Sequence, residues 1–314
     1  MATTKFILGM RDAFFNALFE FYKNDPDMVF ITADNGAPTL DQFYQTRPDQ
    51  YFQVGIAEQQ LIGMACGMAL EGKKVYTYAI APFVTTRCYE QNKIDICAMN
   101  LPICNIGVGA GYAYDIMGPT HHTVEDLTIM RALPNMTVHS PADSYCAEAL
   151  AEISARIPGP QYIRFDRAGV PEIYGDGDYK FADGVLMSRQ GGPLALVATG
   201  IMVHQALKVA DELAKAGVQA RVIDICRIKP LNTERLFEYL KGVKRVVSME
   251  EHLLTGGLGS LLAETFSDNA MHMPLLRIGQ NDRYVFDMGG REAIWEKYGL
   301  DVDSMTQRIQ HWAK

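Results

Sequence analysis

Hydrophobic and polar positions along this chain fall into two alternating rhythms. Short runs rich in β-branched and aromatic residues, at 28–33, 74–79, 102–108, 136–140 and 161–165, have the length and composition of buried strands. Longer stretches of helical periodicity separate them, among them 7–24, 61–70 and 124–131. Strands that alternate with helices predict parallel sheets with helical crossovers. The rhythm breaks at 167–192, where Gly, Pro and Asp dominate (VPEIYGDGDY, then RQGGP). It restarts with strands expected at 194–199, 219–225, 245–249 and 275–278, helices between them, and two more helices at the end. The expected architecture is an α/β fold of two domains, 1–166 and 193–314, each a mainly parallel sheet flanked by helices. A linker at 167–192 would join them.

Composition narrows the function classes. A chain of 314 residues with 48% hydrophobic and 21% charged residues is globular and long enough for two cores. Its apolar runs are short and interrupted by charge, and Met1–Gly9 has no long apolar core followed by a small-residue cleavage site, so a cytoplasmic protein is expected. Cys66, Cys88, Cys97, Cys104, Cys146 and Cys226 form no C-x-x-C pair and sit mostly in apolar segments, which indicates neither a disulfide framework nor a cysteine metal site. A net charge of −8 without a basic run argues against nucleic acid or an anionic membrane as partner. An anionic ligand would need a local site.

Three segments offer such chemistry. In Val54-Gly-Ile56-Ala-Glu58-Gln-Gln, Glu58 opens an apolar helix rich in Gly, Ala and Met. Acidic side chains favour helix N-termini through the macrodipole, which is one account of it. The other is a carboxylate aimed into a dry interface, where it could exchange a proton with a heterocycle nitrogen. Gly118-Pro-Thr-His121-His122 follows a Gly-rich stretch (GVGAGYAYDIM). Its adjacent histidines are either a polar loop or a pair that polarises a substrate carbonyl; no third ligand at a suitable spacing makes them a metal site. Arg164-Phe-Asp-Arg167 ends the last strand of the first block, where open α/β sheets bind ligands, and an arginine there can take a phosphate or pair with a neighbouring acid. Gly175-Asp-Gly177 resembles the start of a metal-diphosphate motif, but 202–207 contains no Asn and the triplet falls in the linker, so a turn is expected.

Taken in order, these segments resemble the second half of a transketolase. Val54-Gly-Ile-Ala-Glu58-Gln resembles the family's pyrimidine-domain signature with its cofactor glutamate, and Phe83 with Arg87-Cys-Tyr-Glu-Gln91 resembles the aromatic-lined helix that packs the aminopyrimidine. Gly118-Pro-Thr-His121 is similar to the G-P-T-H substrate loop, Ser140-Pro-Ala-Asp143 to an S-P-x-D turn, Arg164–Arg167 to the phosphate-binding strand, and Glu250–Ser260 to an E-E-H…G-G-L-G-S segment. Six motifs in one order span nearly the whole chain. Full-length transketolases and deoxyxylulose-phosphate synthases begin with a diphosphate-binding domain, and this chain resembles the carboxy-terminal subunit of a split transketolase.

The resemblance implies a transferase that uses thiamine diphosphate. Glu58 would bind the aminopyrimidine N1′ and drive activation, with Phe83, Arg87 and Ile56 around the ring. His121 and His122 would polarise sugar oxygens, Arg167 would bind the substrate phosphate, and Arg164 of the same motif would serve it in a more structural role. A partner chain would hold Mg²⁺ and the diphosphate, with two copies of each chain in the assembly, and this chain would ligate no metal. Transketolases usually carry Asp before the Gly of G-P-T-H, whereas here that residue is Met117, whose thioether accepts a hydroxyl weakly, so an unusual ketose phosphate or a modified sugar is expected. Competing readings are a 2-oxo acid dehydrogenase β chain, a deoxyxylulose-phosphate-synthase-like enzyme and a degenerate scaffolding subunit.

Overall fold

The computed structural model describes residues 8–313 apart from Asp176 and Asp178. The start of the first expected helix at Ile7, most of Met1–Gly9 and the centre of Gly175-Asp-Gly177 lie outside them; Gly175 itself takes φ +55° in a turn.

Among the described residues twelve strands form two sheets. They are β1 (Met28–Thr32), β2 (Tyr51–Gln53), β3 (Lys74–Ile80), β4 (Ile103–Val108), β5 (Thr137–His139), β6 (Gln161–Phe165), β7 (Val185–Arg189), β8 (Leu194–Ala198), β9 (Ala220–Ile225), β10 (Arg227–Lys229), β11 (Arg245–Leu253) and β12 (Leu275–Gln280). The larger sheet runs β10-β5-β6-β4-β3-β1-β2 and the smaller β12-β11-β8-β9-β7. All neighbours pair in parallel except β10 with β5 and β7 with β9. The expected two mainly parallel sheets are therefore present. Central strands such as β1, β4, β6 and β8 are buried at every residue, which is why β1 and β8 read as near-continuous apolar runs that do not alternate.

Two features depart from the periodicity. The stretch 167–192 is irregular at first, but 185–189 forms β7, an antiparallel edge strand whose last three residues are only partly buried. One short edge strand carries too little pattern to stand out between glycines. More consequentially, β10 lies in the second half of the chain yet extends the sheet of the first half, through Arg227 opposite His139. One apolar core is continuous across the two halves, from Ile31, Leu61 and Val75 to Val197, Ile223 and Leu258.

Helix Met10–Tyr22 packs on one face of the larger sheet, burying Phe14, Phe15 and Leu18 against Phe30, Tyr78 and Phe165. Helix Glu58–Leu70 covers the other face with Leu61, Ile62 and Ala65, and Gly72 at φ +88° follows its end. All six cysteines are buried and unpaired. No helix among the described residues is long and apolar enough to cross a membrane.

Candidate active site

Glu58 is the first residue of its helix and is 2% exposed. Gly55, at φ +77°, reverses the chain just after β2, which leaves Ile56 projecting at 77% exposure while Glu58 turns inward. Arg87 Nη1 donates to Glu58 Oε2 at 2.6 Å, and no other hydrogen bond to this carboxylate forms among the described residues. The Arg87 guanidinium lies over the Phe83 ring at 3.9 Å. The expected helix bearing Phe83 and Arg87 is not continuous. It is a turn at Ala81–Val84, a break at Thr85 whose hydroxyl donates to the Ala81 carbonyl, a short Tyr89–Gln91 segment and a π-helical stretch Asn92–Ala98. That break lets Arg87 fold back over Phe83.

His121 joins this group from the other side of the sheet's carboxyl end. Its ring meets Phe83 edge-on at 5.0 Å and Tyr114 at 5.9 Å, and Thr120 Oγ1 pairs with its Nδ1 at 2.9 Å. Gly118 makes the turn possible, with φ 71° and ψ −166°, a region only glycine occupies freely. Burial, and then the charge of Arg87, push the His121 pKa below its ordinary value, so the ring is neutral at pH 7. His122 points the opposite way: it is buried against Tyr112 at 5.0 Å with Nε2 3.3 Å from the Asp115 carbonyl, and burial lowers its pKa too. Tyr114 continues the row, with the Arg167 guanidinium over its ring at 5.0 Å. Glu58, Arg87, Phe83, His121, Tyr114 and Arg167 thus form one contiguous strip along an open face.

Arg164 is not part of that strip. It is 5% exposed on β6, with Nε 3.0 Å from Asp126 Oδ2 and Nη2 donating to the Thr123 carbonyl at 3.2 Å. Asp126 also accepts from the Tyr162 hydroxyl at 2.8 Å and lies near the buried His252. Arg164 is therefore committed to an internal carboxylate and a backbone carbonyl. Arg167 alone of the pair is exposed.

The chain has matches among known proteins. Residues 8–172 match the transketolase pyrimidine binding domain and residues 183–305 the transketolase C-terminal domain. The chain belongs to the transketolase family. It is 36% identical over 286 residues to a subunit of the apulose-4-phosphate transketolase of Actinobacillus succinogenes, covering 90% of this chain and 92% of that one. It is 33% identical to the 6-deoxy-6-sulfo-D-fructose transketolase subunit SqwH of a Clostridium species, over 95% and 92% of the two chains. A solved split gene transketolase, described as an inactive beta4 tetramer, superposes with TM-score 0.84 and 34% identity over 97% of both chains. This chain is accordingly a transketolase-type transferase chain.

Within this transketolase chain, the E-E-H segment of β11 works inside the protein and not in the strip. Glu250 accepts the backbone N–H groups of Leu258 and Gly259 at the start of helix Leu258–Asp268, and burial pushes its pKa up to about 7 against those bonds. His252 is fully buried, which holds its pKa down at about 4. Sequence reasoning missed Tyr114, which joins His121 to Arg167, although it sits in the Gly-rich stretch that leads into G-P-T-H. It also missed Arg11, whose Nη1 reaches the Tyr78 hydroxyl at 3.4 Å and whose charge acts on Tyr114. Nothing in the local pattern of helix Met10–Tyr22 marks Arg11. Concavities of about 270–370 Å³ open elsewhere, around Tyr179 and Tyr239 and between Val29, Phe52 and Met68.

Proposed function

We propose that this chain is the subunit of a thiamine-diphosphate-dependent transketolase that presents the pyrimidine-binding face. It would move a two-carbon ketol unit from a ketose phosphate to an aldehyde acceptor. A partner chain would supply the diphosphate grip and Mg²⁺, in an assembly of two copies of each. The observation that carries the reading is a buried carboxylate, Glu58, with one oxygen held by Arg87, next to an aromatic ring and a neutral imidazole.

These residues fit the cofactor's pyrimidine half. Glu58 is an acceptor that can hold a proton at a ring nitrogen, Phe83 offers a flat apolar wall and Ile56 a second apolar contact. Thiamine diphosphate, when bound, supplies the carbon nucleophile that cleaves the donor beside its carbonyl and carries the two-carbon fragment. His121, neutral at pH 7, donates to or accepts from the sugar oxygens. His122, turned into the fold, supports the loop that aims His121, and Arg167 takes the donor phosphate with Arg11 as a nearby second charge. Arg87 and Arg167, at either side of the strip, are exposed, in keeping with a second chain completing the site. The relatives' names point to ketose donors outside the ordinary set, which accords with Met117, 49% exposed beside the loop. Buried, unpaired cysteines accord with a reducing, cytoplasmic location.

Calorimetric titration tests the division of labour. This chain alone is expected to bind thiamine diphosphate and Mg²⁺ weakly, and the mixture with a diphosphate-binding chain to bind tightly and transfer ketol units. Tight binding by this chain alone rejects the partner. For His121, His121→Asn is expected to lower kcat/KM about 10²-fold. In the wild type the rate falls as pH drops through the depressed imidazole pKa, because the protonated ring no longer accepts; an unchanged acid limb in the variant refutes the role.

A further inference from the structure

One partly buried arginine outside the strip is joined, through its guanidinium and its backbone N–H, to three of the strip's supporting segments. Arg291 opens helix Arg291–Tyr298 in the second half of the chain. Its Nε donates to Glu251 Oε1 at 2.8 Å, its Nη2 meets Glu251 Oε2, and its Nη1 lies 2.6 Å from Asp166 Oδ2. Its backbone N–H donates to Asp115 Oδ2 at 2.9 Å. Glu251 and Asp166 are each 4% exposed, and Trp295 Nε1 donates a further bond to Glu251. Burial alone would lower the Arg291 pKa, but the two carboxylates hold it above its ordinary value.

Each of these acids belongs to a segment that carries or aims a site residue. Asp166 directly precedes Arg167, and its Oδ1 accepts the Ala168 N–H at 3.0 Å, closing the backbone around Arg167. Asp115 begins the turn that leads to G-P-T-H. Its Oδ1 accepts the Ile116 N–H at 2.8 Å and its carbonyl faces His122 Nε2. Glu251 packs against Gly111, where a Cβ would collide with its carboxylate, and so fixes the other end of the Gly-rich segment. A guanidinium can span two carboxylates at fixed geometry, whereas an ammonium acts as a single point charge.

We propose that Arg291 is a positioning residue that holds the His121 loop and the Arg167 turn in register, setting the distance between the carbonyl and phosphate subsites of the donor. The proposal rests on the ketol-transfer reading above, in which Arg167 takes the donor phosphate. A simple stabilising ion cluster would not discriminate between donors; a register device does.

The test uses the complex reconstituted with its diphosphate-binding chain, with one ketose supplied both phosphorylated and phosphate-free. Arg291→Met is expected to raise KM for the phosphorylated donor about tenfold or more, since small misplacements of binding groups are costly, and to leave KM for the phosphate-free donor within about twofold. Arg291→Lys should restore only part of the loss. In an Arg167→Ala background, Arg291→Met should add little to the same KM, because coupled residues are non-additive. Equal losses for both donors, or additive effects with Arg167→Ala, overturn the proposal. Should Arg291→Met not fold, Asp115→Ala removes the acceptor that ties the loop to the Arg291 backbone N–H, and is expected to lower kcat with little change in the phosphorylated donor's KM; wild-type kcat in that variant also overturns it. A wild-type complex that transfers no ketol unit sinks the underlying reading instead, whatever the variants do.

Discussion

Glu58→Gln in the assembled enzyme is expected to lower ketol transfer about 10³-fold, within the range for removal of a positioned proton-transfer group. Glutamine keeps the size of the side chain and one carbonyl oxygen for Arg87, so cofactor can still be held. It cannot hold and release a proton at a ring nitrogen. The fold should survive, because Arg87 loses its ion pair yet is 41% exposed in its side chain and can be solvated. Steady-state rates, beside a calorimetric check that the variant complex binds thiamine diphosphate, separate the two effects. Wild-type turnover in this variant would return Glu58 to the status of a helix-terminus acid with a surface partner.

The second large effect is on stability. Arg164→Met should cost about 3–5 kcal/mol, the usual penalty for stranding one partner of a buried ion pair. Asp126 would keep the Tyr162 hydroxyl but lose the guanidinium that pairs with it. His252, whose nitrogen lies 3.8 Å away, is held neutral by burial and offers no compensating charge at pH 7. Adding Asp126→Asn should recover part of the loss, because the double variant buries no unpaired charge. Chemical unfolding of the single and double variants measures this. A stable Arg164→Met protein with a raised KM for phosphorylated donors would instead place Arg164 at the phosphate.

The contrast between Arg164 and Arg167 marks how far local sequence reaches. Both lie in one four-residue motif, Arg164 on β6 and Arg167 just beyond its end, yet which of them meets an acid depends on Asp126, 38 residues before Arg164. The same holds for the adjacent pair His121 and His122. Their position in a polar turn is legible, and that one ring faces Phe83 while the other turns to Asp115 is not. Helix Asp126–Ala132 and the elements around Glu58 were within reach of periodicity, whereas the break at Thr85 was not, because it is made by hydrogen bonds that compete with the helical pattern.

By itself the sequence determined the alternation of strands and helices, the two mainly parallel sheets, and the order of motifs that marks a transketolase chain with Glu58 at a helix start. The first two follow from hydrophobic periodicity and turn chemistry, which act over a few residues, and the last rests on the resemblance of the motifs. The tertiary structure decided what is joined across distance. It added β10 to the sheet of the other half, gave Arg164 to Asp126, set Tyr114 between His121 and Arg167, and brought Arg291 from the second half to Glu251, Asp166 and Asp115. Strand pairing at an edge and the choice of a buried charge's partner depend on which groups are desolvated together, and that is settled only when the two halves pack.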